Sequence, residues 1–219
     1  ADATENDHFA LLLLLNSSAG CFWLKQTLFD RGGGGIGGGL ATENWERFYE
    51  HDGSKLGSFP MPDSTPSGLS RRLDSLAQEY AACLPSVAGF AGQLTTEHLA
   101  NSRRRAESTR GQMITLQEEL DWLCYQLYGL LEENLCYGRD DFPELGLGQR
   151  AFEIVMARQM AAGELETTWF ERHASIPITE IPNQWPEAYR RLVERRIELI
   201  ETNREIGLIE KPEYKRRWN

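Results

Sequence analysis

No two cysteines in this 219-residue chain stand at a CxxC spacing; the four lie at 21, 83, 124 and 136 with no repeating interval. This argues for reduced thiols in a cytosolic protein over a disulfide framework or a zinc site. Long apolar runs are missing as well. The longest, Phe9 to Leu15, is broken by Asn16, Ser17 and Ser18, far short of the roughly 18 residues a membrane span needs. The first eight residues are acidic, unlike the basic opening of a signal peptide, so neither secretion nor a membrane location is expected. An excess of positive charge is also lacking. With 23 Lys+Arg against 33 Asp+Glu the net charge is −10, so the chain as a whole repels phosphate and any nucleic-acid contact is confined to local patches. The chain opens on Ala1 without Met and its leucine run follows almost at once, which reads as an excerpt from a longer protein.

Catalytic signatures are equally scarce. The histidines at 8, 51, 98 and 173 form no HExxH and no pairing with cysteine at metal-ligand spacing, and no G-x-S-x-G is present. A nuclease could be assembled only by joining Pro62-Asp63 to Glu213-Tyr214-Lys215, two pieces in a proline connector and a charged tail with no common sheet to carry a metal.

What is present is helical periodicity. The segment from Asp7 to Phe29 is apolar nearly all round and long enough for one helix, with Asp7 as its cap, and the glycine run beginning at Gly32 ends regular structure after Asp30-Arg31. From Pro66, Leu69, Leu73, Leu76 and Tyr80 step by three and four along one face. A longer helix is predicted from Thr95 to Tyr128, with Met113, Leu116, Leu120, Leu123 and Leu127 as its stripe and Gly129 as its C-cap. Two more run from Gly148 to Ala162 and from Pro186 to Ile206. Glu118, Glu119 and Asp121 read as the wet face of the long helix in preference to an acid/base pair.

Charge is uneven. Glu118 to Glu171 holds twelve acidic residues and three arginines, whereas Gly20 to Arg72 balances six against six. Arg103, Arg104 and Arg105 span almost a full helical turn, so they read either as solvated surface or as phosphate contacts. The tail from Lys211 to Trp218 admits the same two readings, with Trp218 as a third possibility, an anchor against the body. The glycine run lacks a following Gly-Lys-Ser/Thr and reads as a closely packed or mobile loop, or as a backbone surface for nucleic acid.

Asn16-Ser17-Ser18-Ala19-Gly20-Cys21-Phe22-Trp23 within Leu14 to Gln26, the glycine run followed by Leu40 to Glu46, and Phe59-Pro60-Met61-Pro62 together resemble a known pattern. It is that of the distal target-recognition region of PglX-like adenine-specific DNA methyltransferases of bacteriophage-exclusion (BREX) and phage-growth-limitation systems. Leu116 to Leu130 and Gly207 to Trp218 resemble the same family's C-terminal end. The resemblance implies a parent enzyme that flips a target adenine and methylates its N6 from S-adenosylmethionine. The chain has no adjacent prolines, so the Asn/Asp-Pro-Pro-Tyr motif of such catalysis is missing. No catalytic, cofactor-binding or metal residue is therefore assigned, and the methyltransferase domain is expected upstream.

The expected architecture is mainly α. Residues 1–63 would be the distal part of an α+β target-recognition domain with the glycine-rich loop, and residues 64–219 a helical C-terminal domain. Its partners would be double-stranded DNA, the upstream methyltransferase domain and other defence-system proteins. Chemistry alone nominates Lys25, Gln26, Arg31, Gly33 and Gly34 as DNA contacts near the recognition region, with Arg103, Arg104 and Arg105 on the backbone. The rival reading, favoured by the net charge and the acidic midsection, is a protein-interaction scaffold with no DNA role.

Overall fold

Thr4 starts the first helix. Its hydroxyl accepts from the Asp7 amide and the Asp7 carboxylate accepts from the Thr4 amide, a reciprocal cap that opens α1 (Glu5–Leu15). Asp7 is thus the third helical residue of that cap and not the cap itself, as the sequence suggested. In the computed structural model, which describes residues 2–33, 43–88, 95–139 and 141–218, the single helix expected from Asp7 to Phe29 is two. Ser17 ends the first and caps α2 (Ser18–Thr27), its hydroxyl accepting from the Gly20 amide at 2.9 Å. The turn folds back so tightly that a Cβ on Gly20 would lie 2.2 Å from the Leu14 carbonyl oxygen.

Regular structure does not stop at Asp30-Arg31. Phe29–Gly33 is a strand, β1, paired antiparallel with β2 (Arg47–Glu50) in the register Phe29↔Glu50, Asp30↔Tyr49, Gly32↔Phe48 and Gly33↔Arg47, with Arg31 bulged out. Cross-strand charge holds it, Arg47 to Asp30 at 2.9 Å and Arg31 to Glu50. A 3₁₀ turn, Asn44–Glu46, precedes β2 and buries Trp45.

Among the described residues eight further helices follow: α3 (Gly53–Leu56), α4 (Gly68–Ala82), α5 (Pro85–Ala88), α6 (Thr96–Leu127), α7 (Ala151–Ala161), α8 (Trp169–Arg172), α9 (Glu187–Thr202) and α10 (Arg204–Ile209). The described residues are 60% helical and the fold is mainly α, as the periodicity required. α6 ends where the sequence placed its end, with Thr95 capping the His98 amide and Gly129 at φ +69 beyond it. The helix expected from Pro186 to Ile206 breaks at Asn203, whose side-chain oxygen caps α10.

The core is built around the C-terminal half of α6. Met113, Ile114 and Leu116 pack with Leu76 of α4, Ile154 of α7 and Tyr189 and Ile197 of α9. One turn on, Leu120, Trp122 and Tyr125 pack with Leu13 and Leu14 of α1 and with Ile206 of α10. A third cluster joins Trp45 to Phe152, Met156 and Trp169. Being covered on several sides, this half of α6 is buried nearly all round, which an amphipathic helix would not be. Among the described residues no helix is long and apolar enough to cross a membrane.

Candidate nucleic-acid interface

The acidic block is not a wet face. Glu118, Glu119 and Asp121 are all buried, each answered by a cation from far along the chain. Lys215 Nζ donates to Asp121 at 2.9 Å and to Glu210 at 2.6 Å, with Glu118 3.9 Å away. Asp121 also accepts from the amide and hydroxyl of Ser18 at 2.7 and 2.8 Å, tying α2 to α6. Arg196 of α9 holds Glu119 at 2.7 Å, and Arg150 holds Glu153 at 2.8 Å while donating to the Arg216 carbonyl. Such buried pairs roughly break even against desolvation, but removing one partner costs about 3–5 kcal/mol. Burial pushes the Glu118 carboxyl up to about 7 against the pull of Lys215. Lys215 is itself opposed by burial, but Asp121, Glu210 and Glu118 hold its ammonium above the ordinary lysine range.

These contacts decide the tail. Lys215 and Trp218 are buried and Arg216 donates to the Asn16 side chain at 2.9 Å, so the tail is anchored and Lys215 is an internal counterion. A nuclease built on Lys215 is excluded by that burial. Among the described residues no cluster of His, Cys, Asp and Glu could hold a metal ion.

Anchoring lays residues 212–217 along α2 and the hairpin, leaving a cleft of about 520 Å³. Lys25, Arg47, Tyr49, His51, Arg216 and Arg217 line it, with Glu213 as its acidic member. Lys25 Nζ donates to the Glu213 carbonyl and lies 5.2 Å from the centre of the Tyr49 ring. Partial burial pulls its pKa down from the usual lysine value.

The nominated residues divide. Lys25 lines the cleft and Gln26 borders it, donating to the Tyr214 hydroxyl at 3.4 Å. Arg31 is exposed on the outer face of the hairpin, paired with Glu50 and 5.4 Å from the centre of the Phe29 ring. Gly33 ends β1 opposite Arg47, and Gly34 lies outside the described residues. Arg103, Arg104 and Arg105 are exposed on the N-terminal half of α6 and none lines the cleft. Arg103 pairs with Glu107 at 2.9 Å and Arg104 donates to Asn101 at 2.5 Å. Sequence reasoning missed Arg47, Tyr49 and His51. Their only signal is an alternation at every second residue, the period of a strand.

Residues 113–219 match a family model described as a domain of unknown function, DUF7008. Over 99% of its length the chain is 48% identical to the adenine-specific methyltransferase PglX of Streptomyces coelicolor. The chain spans 18% of that relative's length, matching a C-terminal portion of it. The resemblance to PglX-like adenine-specific methyltransferases drawn from the sequence is borne out by this identity. No solved structure matches the chain.

Proposed function

We propose, with that similarity as premise, that the chain is a non-catalytic, DNA-engaging portion of an adenine-specific DNA methyltransferase used in phage defence. In this reading it grips the duplex while a domain N-terminal to it performs methyl transfer. One observation supports it above the others. Lys25, Arg47, Arg216 and Arg217, from three distant segments of a chain with a net charge of −10, share one cleft with His51 and Tyr49, where Glu213 and Asp30, the ion-pair partner of Arg47, are the acids that face them. A local positive cleft in an acidic protein focuses the field on a polyanion and orients it, and arginine binds phosphate through a bidentate fork. Residues 1–63 contribute the hairpin and the glycine-rich loop, and residues 64–219 the helical platform that fixes the tail beneath it. Gln26, Arg31, Gly33 and Gly34 are read as further DNA contacts, Gly34 lying outside the described residues, with Arg103, Arg104 and Arg105 as a second, backbone-directed patch.

S-adenosylmethionine does not fit the described residues. The glycine run leaves a strand paired antiparallel in a two-stranded ribbon, whereas a cofactor turn needs a strand that feeds a helix across a parallel sheet. The scaffold reading drew on the acidic midsection, and four of its acids, Glu118, Glu119, Asp121 and Glu153, are spent internally on buried cations.

Fluorescence anisotropy with a labelled duplex at low salt tests the proposal. The combined variant Lys25→Gln, Arg217→Gln is expected to bind about tenfold more weakly, as roughly 1.4 kcal/mol of lost phosphate contact requires. Substituting Arg103, Arg104 and Arg105 together with Gln has a smaller effect. Absence of binding by the unaltered chain would favour a scaffold.

A further inference from the structure

The outer face of the hairpin carries what an aqueous surface ordinarily hides. Phe29 is 63% exposed and Phe48 60% exposed. The register puts both on one side of the ribbon, because Phe48 and Glu50 share a face at a spacing of two and Phe29 pairs with Glu50. Phe48 stands opposite Gly32, so no cross-strand side chain covers its ring. Arg47 and Tyr49 point the other way, toward Lys25 and the cleft. Two bare aromatic rings thus project from the outer side of the ribbon, and Phe48 also borders the positive cleft that Arg47 and Tyr49 line.

Resting on the DNA reading above, we infer that Phe48, flanked by Phe29 and Arg31, is a stacking element that takes an unstacked nucleobase of the duplex whose phosphates occupy the cleft. The occupant is set by charge complementarity. Phosphates held by Lys25, Arg47 and Arg217 bring base steps alongside Phe48, which borders the same cleft. An apolar ring at that position can enter a weakened step and cover an exposed base. Stacking needs only the π-face of the base, so it carries no sequence preference, and Arg31 beside the Phe29 ring adds a planar cation to the platform. A base already out of the stack spares the unstacking cost, so such DNA binds more tightly than a perfect duplex.

The test compares two labelled duplexes that differ by one extrahelical adenine, titrated with the whole chain and with Phe48→Ala and Phe48→Trp. The chain is expected to bind the bulged duplex at least fivefold more tightly than the paired one. Phe48→Ala brings that ratio to about one, and Phe48→Trp retains it. Equal affinity of the chain for both duplexes, a preference that survives Phe48→Ala, or a preference lost in both variants overturns the stacking role and leaves the DNA reading standing. Failure to bind either duplex overturns both.

Discussion

Glu118 lies inside the helical body with neither carboxylate oxygen hydrogen-bonded among the described residues, and Lys215 Nζ 3.9 Å from it. Burial raises its pKa from the ordinary 4.5 to about 7, so between those values the folded chain holds a proton that the unfolded chain has released. The sign follows. The contribution of Glu118 to stability is greatest below about pH 4.5, falls as the pH rises and levels off above about 7. Glu118→Gln, which keeps the shape and removes the charge, should raise stability at pH 5 by less than about 1 kcal/mol. At pH 8 it should raise stability on the order of 2–3 kcal/mol, at 1.36 kcal/mol per pKa unit. Urea denaturation of both proteins at the two pH values checks this, and an equal difference at pH 5 and 8 would contradict it. None of this was legible in the sequence. Periodicity reports neighbours three and four residues away, while the cations that answer these acids stand 77 residues from Glu119 and 94 from Asp121. Clustered acids on a helix look the same whether water or a distant lysine faces them.

At the scale of elements, sequence punctuation succeeded where a local residue forces the backbone and failed where a partner does. The ends of α6 were readable because Thr95 supplies a hydroxyl to an orphan amide and Gly129 takes a left-handed turn. The apolar stripes of α4 and α9 were readable because they repeat with the helix. The break between α1 and α2 was not, since Ser17 and Gly20 sit inside an otherwise apolar run and only the fold-back gives them their roles. Nor was β1, whose glycines read as breakers until Phe48 and Arg47 pair with them from beyond the glycine run. The fold-back makes a direct prediction. Gly20→Ala places a methyl group 2.2 Å from the Leu14 carbonyl, which must push α1 off α2. It should cost about 2 kcal/mol or more by strain and lost packing, lowering the urea midpoint well below that of Gly68→Ala, where the side chain would meet open space.

Across the whole molecule, negative charge is divided between interior and surface. The buried acids fix the tail through Lys215, and the fixed tail sets Arg216 and Arg217 beside Lys25 and the hairpin. An ion network buried in the body thus shapes the cleft proposed to meet DNA. Of that surface the sequence showed Lys25 and the basic tail, but their meeting depends on tertiary contacts between residues nearly 190 positions apart. The measurement that tests this account most directly is the salt dependence of duplex binding. With about three phosphates neutralised in the cleft, the logarithm of the association constant should fall against the logarithm of salt with a slope of roughly −2 to −3. Lys25→Gln with Arg217→Gln should flatten it toward about −1. A slope near zero, or one that the double substitution leaves unchanged, would contradict the assignment of this cleft to DNA.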